Sequence, residues 1–292
     1  MSDPWKADEP IKEENIINES ERDSAKPAND EYKLVKLEDS GRLSPSFIPG
    51  TPLAVYDLES SGTWEKPSFG SFALVLIWGS GGGGGGYRLD ADTIRAHGGA
   101  GGALAMVLLP LPLIPVSVSY TIGEGGNGGN STSIEDVQNG QNGGATSFGN
   151  FLQVSGGNGG QANPDSGTSQ SGNNTNTSTF GFSTVQLLTG GSSGVVNTGS
   201  GGQAQNATNQ TYQGAGAGGA QRNPFTGAFT FGNGGENLFL GLTGGNGDAQ
   251  DSTPANGGAG QKTCGGGGAI TRTGSTATGG KGGDGFIRIY IV

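Results

Sequence analysis

The chain has 292 residues, 62 of them glycine, about three times the usual share. With only 13 prolines and no strict Gly-x-y repeat it is not collagen, and its formal net charge of −10 disfavours nucleic acid as a partner. A single cysteine, Cys264, excludes an intrachain disulfide framework, and no apolar run reaches the ~20 residues of a membrane-spanning helix, so membrane insertion is not expected.

The charge is uneven. Residues 1–60 hold 7 Lys/Arg against 14 Asp/Glu, which leaves the rest of the chain nearly uncharged. Residues 1–31 are polar and proline-punctuated, with Trp5, Ile11, Ile16 and Ile17 as the main large apolar side chains. Alone, such a stretch cannot bury enough surface to order itself. It carries no cleaved secretory signal pattern, and residues 11–21 read as a short helix formed on a partner. A short strand is expected at 32–37 and a turn at 39–41, and prolines keep 43–52 extended. Residues 1–59 therefore read as an acidic anchor and linker, with attachment to a partner through 1–58.

The second domain is expected over 60–292. Residues 62–67 form a first strand ending at Pro67. Phe72–Trp78 (FALVLIW) forms a second, apolar on both faces at period two and running straight into Gly81–Gly86. A polar excursion, 87–97, follows. Residues 103–109 and 116–122 are two more strands, the latter alternating Val116, Val118, Tyr120 and Ile122 with Ser and Thr. These strands and 286–292 predict an antiparallel β core that buries Trp64, Leu74, Leu76, Trp78, Val118, Ile287 and Ile289.

From Gly123 onward, glycine clusters such as GEGGNGG, GGNGG, GAGAGG and GGKGGDG recur at irregular intervals, so the chain is no fixed-period solenoid. Short apolar marks lie between them at 148–154, 180–188, 225–231 and 238–242. Glycine tracts bury no side chains and lose much entropy on ordering, but their backbones approach closely. Extended left-handed helices of three residues per turn have no internal hydrogen bonds, so each amide must pair with another segment. The fold class is accordingly read as mainly β: a small antiparallel β core plus a bundle of polyglycine-II-like helices, with loops at the bundle's ends.

Catalytic and cofactor motifs are weak. Gly81-x-Gly83-x-x-Gly86 formally matches a dinucleotide fingerprint, but any six-glycine run does, and too few residues follow for a βαβ helix. Residues 279–287 match one copy of a calcium nonapeptide, which without stacked neighbours makes no ligand cage. His97 is the sole histidine, with no nucleophile to complete a pair, and Cys264 reads as a buried small residue. Asp165, Asp248 and Asp251 read as solvated turn residues. Asn130-Ser131-Thr132 and Asn206-Ala207-Thr208 are chance matches to the glycosylation pattern. No catalytic residue, cofactor or metal is expected.

The order GTWEKP, apolar strand, GSGGGGGG, VSYTIGEGGNGG, TSFG and a closing GGDGFIRIYIV resembles the glycine-rich domains of bacteriophage tail fibres over roughly residues 60–292. The later clusters are similar to the tip adhesins of T-even-like phages, in which polyglycine-II bundles present receptor-binding loops. The segment 33–49 is similar to connectors that precede fibre domains. The resemblance implies a virion protein outside the cell, commonly a homotrimer, that binds a host surface protein or glycan without catalysis. The alternative is a structural component with no receptor role: a head fibre, a capsid decoration or a self-assembling filament. Receptor contacts are expected in loops 163–179 (Asn163, Asn173, Asn176), 203–212 (Gln205, Asn209, Tyr212) and 246–256 (Asp248, Asp251), because these lie between glycine clusters and hold few large apolar residues.

Overall fold

A computed structural model describes residues 16–17, 34–35, 52–90, 94–162, 184–188, 214–222 and 226–292. The chain divides into two compact units, 1–54 with Val292, and 55–291. In the first, Ile16–Ile17 pairs in parallel with Leu34–Val35. In the chain alone these isoleucines, within the stretch expected to turn helical on a partner, lie in a strand; two β-branched residues favour the pleated pairing.

The second unit is mainly β. Its only helical turn among the described residues is a 3₁₀ turn at Leu111–Leu113, flanked by prolines that bar continuation. A five-stranded sheet runs in the order Thr184–Leu188, Leu104–Pro110, Phe72–Trp78, Phe286–Ile291, Ala54–Leu58. The apolar strand Phe72–Trp78 is central and antiparallel to both neighbours: Ile77 faces Ala105 on one side and Ile287 on the other. Ala54–Leu58, expected to be linker, is thus a strand of this sheet.

One face, built by Ala73, Val75, Ile77, Val107, Leu109 and Ile289, is sealed from solvent. A second sheet lies beside it, in the order Leu152–Val154, Thr146–Phe148, Ser117–Thr121, Gly62–Glu65. Trp64 is buried there, its ring 5.7 Å from Phe148. The opposite face is graded. Trp78 and Leu76 are buried, Leu74 is half-buried and Phe72 is 41% exposed. A hairpin of Glu236–Asn237 and Leu242–Thr243 carries Phe239 to within 5.4 Å of the Trp78 ring and packs Leu240 against the cluster of Leu76, Trp78, Leu104 and Phe286. The expected core is otherwise present, with two corrections: Leu74 is only half-buried, and Val116 lies outside Ser117–Thr121 at 73% exposure, following Pro115.

Between these sheets and the far end of the unit run the glycine tracts, which pair mainly backbone to backbone. Gly79, Gly82 and Gly85 donate to Ala103, Ala100 and His97; Gly81 and Gly84 donate to Gly283 and Gly280; Gly83 donates to Gln141. In return, Gly126 and Gly129 donate to Gly81 and Gly84, Gly266 and Ala269 to Gly82 and Gly85, and Gly157 and Gly160 to Ser80 and Gly83. Residues 79–86 thereby touch six other segments, and every third residue points to the same one. Residues 264–268 also sit among six: 79–86, 97–103, 214–219, 244–248, 257–261 and 279–285.

Exposure follows the same period of three. Glu124, Asn127 and Asn130 are exposed while the glycines between them are mostly buried; Lys281 and Asp284 repeat the spacing. A β-strand would alternate every second residue. Where a segment meets the surface, an outward side chain replaces the missing neighbour. Asn142 Oδ1 accepts from the Gly159 amide, Asn139 Oδ1 from Ala162 and Asp284 Oδ1 from Gly125, each at 2.8 Å. Each backbone hydrogen bond nets only about 1 kcal/mol and glycine orders at a high entropic cost, so the apolar cores at the ends must supply the driving force.

Candidate functional site

The hydrogen-bond registers fix direction. Residues 79–86, 123–129, 157–160, 214–219, 244–248 and 264–268 run one way; 97–103, 140–144, 232–235, 257–261 and 279–285 run back. The strands Phe72–Trp78 and Phe286–Ile291 therefore adjoin the same end of the glycine block, here called proximal. The distal end is capped by three small sheets. Gly86–Arg88 is central to one, between antiparallel Asp136–Gln138 and parallel Ala269–Thr271, beyond which lies Asp248–Gln250. Asn130–Ser131, Ala277–Thr278 and Ala255–Asn256 form the second; Phe229–Phe231, Ala220–Arg222 and Ile94–Ala96 form the third.

Tyr87, Ala96, Ala162, Ala220, Ala249 and Ile270 make a compact core beneath these caps, with Leu89 and Phe229 packed against it. The stretch 87–97 is thus not merely a polar excursion: Tyr87, Ala96 and His97 are all buried. Alanine dominates because neighbouring backbones emerge from the glycine block too close for larger side chains.

Several described distal loops are tied by side-chain hydrogen bonds. In 131–136, Ser131 Oγ donates to the Asp136 carbonyl at 2.8 Å, Asp136 Oδ2 accepts from the Thr132 amide at 3.2 Å and Glu135 adopts φ 66°. Arg88 Nη1 reaches the carbonyls of Thr132 (2.8 Å) and Ser275 (3.1 Å), tying two loops together. Arg272 pairs with Asp90 at 2.9 Å. Ile134, at the apex of its loop, is 55% exposed. Sequence reasoning missed this loop; its available signal was Ser-x-x-x-x-Asp closing a short polar stretch between two strands, whereas Asn130-Ser131-Thr132 drew notice only as a glycosylation pattern.

Of the expected contact residues, the structure brings Asp248 and Asp251 to the distal end. Asn163, Asn173, Asn176, Gln205, Asn209 and Tyr212 lie outside the described residues. The Asp248 carboxylate is occupied internally, accepting from Gln250 Nε2 and from the Asn256 amide, both at 2.7 Å. Asp251 is exposed, and its carbonyl accepts from the Thr273 amide at 2.7 Å. The loop 246–256 also gives Ala249 and Ala255 to the interior, contrary to the expectation that it adds little to any core.

At the proximal side, Glu59, Lys262, Lys281 and Asp284 line a shallow groove continuous with a second one formed by Asp57, Leu240, Phe286 and Arg288. Its charges are paired: Glu59 with Lys262, Asp284 with Lys281, Asp57 with Arg288. Lys262 and Arg288 also stand over the Phe286 ring, 5.6 and 5.5 Å from its centroid. Elsewhere, burial pushes the Cys264 thiol up to about 11, against hydrogen bonds from the Ala215 backbone and Thr263 that lower it. Burial, helped by the charge of Arg95, lowers His97 to about 4. Among the described residues no three His, Cys, Asp or Glu side chains converge to hold a metal ion.

The family model described as "glycine-rich domain" matches residues 57–292. The chain belongs to the glycine-rich domain family. No curated protein shows a significant match to it. The boundary of the glycine-rich domain falls at Asp57, the residue that ties the edge strand Ala54–Leu58 to Arg288.

Proposed function

We propose that the protein is a bacteriophage fibre or tail-tip protein that binds the host cell surface through the loops at the distal end of its glycine-rich domain. In this reading the glycine tracts are polyglycine-II-like helices in a hexagonal bundle, which acts as a rigid spacer. The threefold alternation of their hydrogen bonds, and the six neighbours of residues 79–86, support that assignment. Residues 1–58 attach the protein to the virion, and the working form is a homotrimer.

The observation that carries the reading is the separation of ends. The strands Ala54–Leu58 and Phe286–Ile291 lie in the proximal sheet, while the loops 132–135, 251–254 and 272–275 lie at the distal one. A stiff block between attachment and loops lets the loops vary without disturbing assembly. The test is to exchange the distal loops one set at a time and measure adsorption of particles to host cells. Loss of adsorption with normal particle yield supports adhesion; normal adsorption after every exchange overturns it.

A structural role without receptor contact is favoured by one feature, the internal use of the Asp248 carboxylate, which orders its loop rather than offering it. Electron microscopy of particles carrying a tagged chain separates the two: an outermost position fits adhesion, a regular lattice position fits decoration.

A further inference from the structure

Seven Asn-Gly steps occur in the chain, at Asn127, Asn139, Asn142, Asn158, Asn233, Asn246 and Asn256. Such steps ordinarily mark tight turns. They are also the sequence most prone to spontaneous deamidation, because the glycine nitrogen, unhindered by a side chain, attacks the asparagine Cγ. Here all seven lie within or at the edge of the glycine block, so the fate of each depends on whether its glycine nitrogen is already committed.

Six are committed. Gly140, Gly143, Gly247 and Gly257 donate to the carbonyls of Gly160, Gly157, Gly232 and Thr278 at 2.8 to 2.9 Å. Gly159 and Gly234 donate to Asn142 Oδ1 and Asn246 Oδ1 at 2.8 and 3.0 Å. The Gly128 amide alone has no hydrogen-bond partner among the described residues. Its asparagine is exposed and on the outward row with Glu124 and Asn130. Asn127 is steadied by Gln141 alone on that side: its carbonyl accepts from the Gln141 amide at 2.8 Å, and its Nδ2 donates to Gln141 Oε1 at 3.3 Å.

We infer that Asn127 is the site at which the folded protein modifies itself, and that the glycine block protects the other six steps. The Gly128 nitrogen forms a bond to Asn127 Cγ and loses its proton; the Cγ–Nδ2 bond breaks and ammonia leaves, giving a succinimide. Water then opens the ring at either carbonyl, yielding aspartate or isoaspartate. Water is the only co-reactant and nothing is oxidised or reduced. Either product adds a negative charge next to Glu124. Isoaspartate also lengthens the backbone between Gly126 and Gly129, both of which donate to residues 79–86. The inference is independent of what the distal loops bind.

The full-length chain, native and in denaturant, is aged in mildly alkaline buffer and each Asn-Gly peptide is followed by mass spectrometry with isoaspartyl methyltransferase labelling. In denaturant all seven steps are expected to react. In the native chain Asn127 is expected to react about tenfold or more faster than any other, since reaction elsewhere requires opening of a hydrogen-bonded segment. Gln141→Ala, which frees the Asn127 side chain, should speed it further, and Asn127→Gln should remove the native product. Equal rates at the seven sites, a different leading site, or an Asn127 that stays intact when native would overturn the assignment.

Discussion

The carbonyl oxygen of Gly267 occupies the space that a side chain on Gly84 would need. Gly84 meanwhile donates to Gly280 and accepts from Gly129, both at 2.9 Å, so a shift away from Gly267 strains both bonds. Gly84→Ala should destabilise the fold by about 3 kcal/mol or more, the upper range for forcing one carbon into a packed interior. Gly258→Ala, whose new carbon would meet the Asn246 nitrogen at 2.9 Å near a half-buried edge, should cost less. Gly241→Ala meets nothing within 4 Å but sits at φ 65°, so it should lose roughly 1 kcal/mol to backbone strain alone. Denaturant unfolding of the three variants gives the order; equal losses would mean that close approach is not what the block demands.

Positive φ is in fact absent as a cause inside the block. The described glycines with positive φ are Gly70, Gly149, Gly227 and Gly241, all in turns or connecting segments outside the block. Gly157 has no such conformation; its side-chain space is filled by the Ala100 carbonyl. Gly157→Val should therefore be damaging through collision alone, and should exceed Gly258→Val in a thermal unfolding comparison.

His97 is fully buried, with neither ring nitrogen hydrogen-bonded, and its folded pKa of about 4 lies below the ordinary 6.5. The unfolded chain takes up a proton near 6.5 that the folded chain refuses until about 4. Stability should be unaffected by this group above that window and should fall as pH drops through it, by up to about 3 kcal/mol. His97→Leu should flatten this part of the stability–pH curve measured by urea unfolding. Parallel curves for the two proteins would show that His97 is not the acid-sensitive group.

Arg288 holds Asp57 in a two-point pair, Nε to Oδ1 at 2.6 Å and Nη2 to Oδ2 at 2.7 Å. It pins the edge strand to the terminal strand at a partly exposed site. Arg288→Lys keeps the charge but loses the fork and should cost about 1 kcal/mol, less in high salt. Hydrogen exchange across Ala54–Leu58 should rise in the variant; unchanged exchange there would assign the strand's order to its backbone ladder.

Asp248→Ala should release the distal turn that its carboxylate closes, costing about 1–3 kcal/mol and exposing residues 251–254 to protease. Asp251→Ala should leave proteolysis unchanged, because the two bonds from Thr273 go to its carbonyl and not to its side chain. If both behave alike, Asp248 is not the residue that holds the loop.

The short, continuously apolar run Phe72–Trp78, rich in β-formers and bounded by glycine, was enough to place a core strand, although only one of its two faces proves sealed. The need of the glycine tracts for lateral partners was equally legible, because a segment without internal hydrogen bonds must find them elsewhere. The spacing carried more than was read from it: in GEGGNGGN and GGKGGDG the non-glycine residue recurs every third position, and those positions are the ones that face solvent. A run of pure glycine, as at 81–86, marks a segment with no outward side, and it proves to be among the six-neighboured ones. What no local pattern contained was the partner of each segment. Gly84 bonds to Gly280 and accepts from Gly129, pairings between distant tracts of nearly identical sequence. Glycines offer no side chains by which one tract could be told from another. Register therefore rests on the end sheets, where Trp78, Phe286, Tyr87 and Ile270 do differ, and on the few side chains that bond between tracts, such as Asn139, Asn142 and Asp284, and it becomes visible only when these are seen together.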